Sequence, residues 1–255
     1  WDAMVDIVVE QCEQDGLEPM SINPVVGECN DSRINQIQKR VVGADEVRQA
    51  FASASEEFEE GDVGAGAGTI CYGLKGGIGS ASRVIRIGEK EYTIGVLVQS
   101  NFGATEDFVL NGESVGAKIL DWKQEKDDMA ASEEDKGSIM SILATDLPLT
   151  SRQLRRILRR TGVGIARTGG YTGHGSGEVM IGFTTANRIP SGAEEELLQI
   201  QAIPEHVINR AFLAAAEAEQ EAILNSMTAA ERTRGQAGEL YYSLSEYLED
   251  QDSKQ

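Results

Sequence analysis

The sequence predicts an α/β fold, because short β-rich apolar runs alternate with stretches of helical periodicity along its 255 residues. Glycine is the second observation: the chain has 28, above the usual share of about 7%, many of them in two clusters, Gly61 to Gly79 and Gly162 to Gly177. Charge is the third. Forty-two acidic against 23 basic side chains leave a net charge of −19, a field that repels phosphate backbones and anionic lipid, so neither nucleic acid nor membrane is an expected partner. The most apolar runs, such as Tyr92 to Val98, fall far short of the roughly 20 residues a membrane helix needs.

In chain order, Asp45 to Phe58 has helical spacing, with Asp45 as N-cap, Val47, Phe51, Ala54 and Phe58 on one face and Gly61 as the stop. Arg83 to Gln99 reads as a hairpin turning at Gly88 to Lys90, and the apolar stretch Ile94 to Val98 predicts a buried central strand. Asp121 to Lys136 is dense in charge and poor in large apolar residues, which predicts an exposed insertion loop. Ser138 to Thr145 is the next strand. Pro148 with Thr150 or Ser151 opens a helix whose Arg152, Arg155, Arg156, Arg159 and Arg160 face outward, toward acids of the same assembly, while Leu154, Ile157 and Leu158 face inward. Glu178 to Ala186 alternates like a strand, with Val179, Ile181 and Phe183 on one side. Pro204 is placed at the first position of the longest helix, reaching about Thr233, with Val207, Ala211, Ala214, Ala215, Ala218, Ala222 and Ile223 as a small-residue stripe fit for close packing on a sheet. Tyr241 to Gln255 reads as a short helix with a frayed tail.

Spacing removes the familiar glycine motifs. After Gly64 and Gly66 a dinucleotide fingerprint requires glycine where Thr69 stands, and Leu74-Lys75-Gly76 replaces the Gly-Lys-Ser/Thr order of a phosphate loop. Around Ser176, His174 and Glu178 occupy the glycine positions of a nucleophile elbow. Two histidines and the scattered Cys12, Cys29 and Cys71 give no metal-site spacing and no disulfide framework, so no metal or cofactor is expected. Free thiols favour a reducing, cytoplasmic compartment. A periplasmic or secreted location stays open, since the chain opens at Trp1 without a leader pattern. One chemistry needs little histidine: a serine whose own α-amine, with a pKa of about 7.7 to 8.0, takes the hydroxyl proton. Such an amine must be made by cutting the chain, and Gly175-Ser176 is a suitable bond because glycine tolerates strained dihedrals. An ordinary turn before a strand is the other reading of that dipeptide.

Five phrases carry a resemblance: NPVVGECND (Asn23 to Asp31), GDVGAGAGTICYGLKGGIGSASR (Gly61 to Arg83), YTIGVLVQSNFG (Tyr92 to Gly103), ATDLPL (Ala144 to Leu149) and GIARTGGYTGHGSGEVMIGFTTAN (Gly164 to Asn187). In this order they resemble the D-aminopeptidase/L-aminopeptidase and β-peptidyl aminopeptidase family, self-processing serine peptidases of family S58. The resemblance implies an αββα sandwich like that of N-terminal nucleophile hydrolases and ornithine acetyltransferases. It further implies cleavage between Gly175 and Ser176 of one catalytic domain, giving an α chain 1–175 and a β chain 176–255, with Ser176 as nucleophile. By the same resemblance Tyr72 lies in the substrate pocket, Asn101 donates to the oxyanion, Asp146 binds the substrate's ammonium and Glu221 is the supporting acid, with Glu219 as the other register. The serine that accompanies this acid in the family is missing from Ala216 to Ala222. Expected substrates are short peptides, aminoacyl amides or esters, and the expected assembly is a homo-oligomer, a tetramer of αβ units, with a segment upstream of Trp1 in family members. The rival readings are an ornithine-acetyltransferase-like acyltransferase, against which a serine rather than threonine nucleophile speaks, and a processing-dead, non-enzymatic homologue.

Overall fold

The computed structural model describes residues 1–19, 21–126, 137–189 and 197–254. Two N-terminal helices, α1 (Asp2–Gln14) and α2 (Ala44–Ala52), lie against each other. The Arg48 guanidinium spans them, donating to both carboxylate oxygens of Glu10 at 2.7 Å. The helix expected from Asp45 starts one residue earlier and stops at Ala52. Gly43 is its N-cap, and the Glu46 carboxylate accepts the Gly43 N–H at 2.7 Å. Gly61 is no helix stop: it exchanges two backbone hydrogen bonds with Ile78, at 2.7 and 2.8 Å.

A four-stranded sheet organises the rest. Strands β1 (Gly77–Ile87) and β2 (Lys90–Asn101) form the expected hairpin, longer at its open end than Arg83 to Gln99, with Gly88 in the left-handed region at φ 63°. Helix α3 (Gly116–Glu125) follows, then β3 (Ser138–Thr145), antiparallel to β2. The crossover through α4 (Ser151–Leu158) and α5 (Thr161–Arg167) brings β4 (Gly177–Thr184) parallel to β3. Spatial order equals chain order, so β2 and β3 are central. Ile94, Val96 and Val98 on β2 are buried with Ile139 and Leu143 on β3, as the continuous apolar run requires.

Helix α6 (Asn209–Thr228) covers this face through Ala211, Ala214, Ala215, Ala218, Ala222 and Ile223, all buried. It starts later and ends earlier than its composition suggests. Pro204 has an extended ψ of 143° and leads a single 3-10 turn at Glu205–Val207 instead. Helix and sheet touch so closely that a Cβ on Gly79 would lie 2.1 Å from the Ala222 carbonyl oxygen. The other face of the sheet carries Val84, Ile142, Val179 and Phe183, all exposed among the described residues. These residues thus form one helical layer and one sheet of the expected sandwich.

Thr150 caps α4, accepting the Gln153 N–H at 3.3 Å, while the Gln153 side chain accepts the Thr150 N–H at 3.1 Å. The basic face of α4 pairs within the chain: Arg152 and Arg156 bind Glu205, and Arg160 lies 4.1 Å from the Phe212 ring centroid.

Two expectations built on composition change. Residues 121–125 belong to α3, where Ile119, Trp122 and Lys123 are buried; residues 127–136 lie outside the described residues. The C-terminal segment forms the expected short helix, α7 (Leu244–Ser253), which is docked through buried Leu244 and Tyr247 and takes up most of the length expected to be a frayed tail. Trp122 meets Tyr242 and Tyr247 edge-on at centroid distances of 5.0 and 5.5 Å. One indole supplies enough apolar surface to hold two charge-rich segments together.

Candidate active site

At one end of the sheet, strand register places Asn101 (β2), Ser138 (β3) and Gly177 (β4) in one row. Neighbouring strands are about 4.8 Å apart, so Asn101 and Gly177 are separated by about 10 Å between Cα atoms. Ser176 immediately precedes β4. Its N–H donates to the Gly173 carbonyl at 3.0 Å, closing a tight turn, and the Gly177 N–H donates to the Gly137 carbonyl at 3.0 Å. Thr172, at φ 54°, bends the chain into this turn. The half-buried Ser176 hydroxyl donates to Glu178 Oε1 at 2.5 Å.

Asn101 is buried and acts as a clamp. Its Oδ1 accepts the Ile70 N–H at 3.0 Å and its Nδ2 donates to the Asn30 carbonyl at 3.1 Å. An amide nitrogen carries two N–H groups, so this arrangement orients the side chain while using one of them. The Cys29 thiol is buried beside the same row, 3.6 Å from the carbonyls of Gln99 and Ser138, and burial pushes its pKa up.

Tyr72 lies beneath this end of the sheet and is fully buried. Its ring stacks on Phe108 at 4.6 Å and meets Phe102 edge-on at 5.1 Å, and its hydroxyl shares a 2.9 Å hydrogen bond with Thr168. Its backbone adopts φ 51°, in the left-handed region, ahead of Gly73 at φ 69°. This left-handed pair reverses the chain between Ile70–Cys71 and Leu74–Lys75, which form a short antiparallel ladder.

Lys75 is the group that sequence reasoning missed. It is fully buried, and its ammonium donates to the carbonyls of Gly66 at 2.8 Å, Gly76 at 2.9 Å and Thr69 at 3.1 Å. Three donors meet three acceptors, so the glycine-rich loop is folded around one cation. Burial lowers the Lys75 pKa to about 8, opposed by the negative charges of Asp62 and Asp31. Local sequence holds no sign of this, because the acceptors are backbone atoms that become neighbours only when the loop closes.

Asp146 and Glu221 are not brought to this site. Asp146 lies eight residues beyond Ser138, just past the far end of β3, or about 26 Å along the strand at the usual rise per residue. There its Oδ1 accepts the Thr93 N–H at 2.7 Å. Glu221 is half exposed on α6 and pairs with Arg83 at 2.6 Å. The acid that turns inward is Glu219, because residues two apart on a helix point to nearly opposite sides. Glu219 is fully buried, accepts the Ser141 hydroxyl at 2.6 Å, and has Oε1 without a hydrogen-bond partner among the described residues. Desolvation raises its pKa to about 7, with the Ser141 hydrogen bond opposing. Its signal was legible as a position four residues from both Ala215 and Ile223, on the apolar stripe.

Among the described residues no group of three or more His, Cys, Asp or Glu is placed to hold a metal ion, and no helix is long and apolar enough to cross a membrane.

The arrangement has known counterparts. The β-peptidyl aminopeptidase BapA of Sphingosinicella xenopeptidilytica is 36% identical over 220 residues, which are 83% of this chain and 55% of that protein. This chain therefore spans about half the length of the curated relative it matches. Among solved structures, the PH0078 protein from Pyrococcus horikoshii OT3 superposes with a TM-score of 0.86 at 44% identity, covering 97% of this chain and 67% of that one. The L-aminopeptidase D-Ala-esterase/amidase from Ochrobactrum anthropi, described as a variant of the Ntn hydrolase fold, superposes with a TM-score of 0.85 at 33% identity, covering 98% and 68%. The family model described as peptidase family S58 matches residues 1–241, and with a sheet, a helical layer and a glycine-flanked serine in the same frame, this chain belongs to that family.

Proposed function

We propose that this chain is the catalytic part of a self-processing aminopeptidase or amidase whose nucleophile is Ser176. The observation that carries the reading is the seating of Gly175-Ser176 directly before β4, whose first residue, Gly177, shares a row with Asn101, in a chain of peptidase family S58. Cleavage before Ser176 would give an α chain 1–175 and a β chain 176–255 and expose an α-amine with a pKa of about 7.7 to 8.0. That amine takes the Oγ proton as Oγ attacks the substrate carbonyl, Asn101 and backbone N–H groups hold the oxyanion, and water resolves the acyl-enzyme. Tyr72 serves through packing: with its hydroxyl on Thr168 and its ring against Phe102, it supports the strand end that carries Asn101. Substrates are short peptides, amino acid amides or esters, in line with the named activities of the relatives, and the working form is a homo-oligomer of αβ units.

Intact mass of the natural full-length protein tests this. Two chains split before Ser176 are expected from wild type and one unbroken chain from Ser176→Ala. A wild type that stays whole while hydrolysing aminoacyl amides overturns the reading.

A further inference from the structure

We propose that Glu178 is the base for the cleavage that creates the nucleophile, an inference that rests on the reading of Ser176 given above. An N-terminal amine cannot assist the reaction that forms it. Before cleavage the Ser176 nitrogen is a peptide amide, its lone pair delocalised into the carbonyl and without useful basicity. A different group must therefore take the hydroxyl proton.

The structure supplies one candidate at the bond itself. Ser176 Oγ donates to Glu178 Oε1 in a short O–H···O contact. The spacing follows from the strand: residues two apart project to the same side of the pleat, so a carboxylate at 178 reaches a hydroxyl at 176. Amides on both sides of the serine side chain are pinned, Ser176 N–H to Gly173 and Gly177 N–H to Gly137. Glycine at 173, 175 and 177 contributes no side chain of its own at these positions around the junction. Within the turn, His174 is exposed and Glu178 half buried.

The step balances without an outside reactant other than water. Glu178 takes the Oγ proton as Oγ bonds to the Gly175 carbonyl carbon. The tetrahedral intermediate collapses by breaking the bond from that carbon to the Ser176 nitrogen, which receives the proton back from Glu178. The product is an ester between Gly175 and Ser176 Oγ with a free α-amine. Water then hydrolyses the ester, leaving the Gly175 carboxylate and the Ser176 hydroxyl.

The test follows processing of the full chain by intact mass after cell-free synthesis, with thermal melts to confirm folding. Wild type, Ser176→Ala, Glu178→Gln and Glu178→Ala are compared, the last with and without added formate. General-base contributions are typically 10²–10⁴-fold, so Glu178→Gln is expected to process at least about 100-fold more slowly. Formate, a carboxylate small enough for the space left by Glu178→Ala, is expected to restore cleavage where chloride at equal ionic strength does not. A folded Glu178→Gln chain processing at the wild-type rate overturns the role of Glu178 and leaves Ser176 standing. Should Glu178→Gln lose its fold, the Ala variant decides, and slow cleavage of a folded chain that formate leaves unchanged overturns the proposal. A wild type that never cleaves, by contrast, removes the underlying reading of Ser176.

Discussion

Replacing Glu219 by glutamine is expected to flatten a pH dependence of stability that this one carboxyl imposes. It is fully buried between α6 and the sheet, and only the Ser141 hydroxyl helps its charged form. Its pKa rises from an ordinary 4.5 to about 7. In the interval between these values the native state keeps the proton and the unfolded state has lost it, so stability falls as pH rises and levels off above pH 7. At about 1.4 kcal/mol for each pH unit, the whole loss is about 3 kcal/mol. In a chain of this size that corresponds to roughly 6–12 °C in Tm. Glutamine keeps an acceptor for Ser141 and has no charge to desolvate. The difference in unfolding free energy between Glu219→Gln and wild type, from urea titrations at pH 4.5, 6 and 8, should therefore shift in favour of the variant by about 3 kcal/mol. A difference that stays constant across these pH values would refute the reasoning, since it would mean that the carboxyl ionises in the fold as readily as in water.

Lys75→Met should remove the donor from three buried carbonyls and cost at least about 3 kcal/mol by urea titration. With its pKa lowered to about 8, wild-type Lys75 sheds its proton in the native state first, so stability should climb with pH from about 8 toward 10.5, a slope that Lys75→Met loses. Trp122→Ala should cost about 3–5 kcal/mol by undocking α3 from α7. Trp122→Phe should cost far less, because the buried indole nitrogen has no hydrogen-bond partner among the described residues. Asp146→Asn should leave KM for a cationic aminoacyl amide unchanged, since it lies about 26 Å along β3 from the row next to Ser176. Glu221→Gln should leave kcat/KM unchanged and cost at most about 1 kcal/mol, since its ion pair with Arg83 is surface-exposed.

Much of the fold was legible because its determinants are local. The run Ser138 to Thr145 and the hairpin around Gly88 show their periodicity and turn chemistry within a few residues, and the alanine stripe of α6 announces a close contact with a sheet. Composition misled where a single large side chain outweighed its surroundings. Trp122 turns a charge-rich stretch into a helix with a buried face, and Tyr242, Leu244 and Tyr247 dock the acidic C-terminus. The candidate site divides in the same way. Gly175-Ser176 stands out from its neighbours in the chain, whereas Asp146 and Glu221 were placed by motif position, and motif position carries no distance.

The sequence by itself determined the alternation of strands and helices, the absence of nucleotide-loop spacing and the one bond worth testing, because each depends on residue type and short-range order. Only the tertiary structure decided which acid faces inward, where Lys75 finds its three carbonyls and what touches the Ser176 hydroxyl. Strand register and loop closure join residues far apart in the chain, and burial, which sets the pKa of Glu219 and Lys75, exists only after that packing is complete.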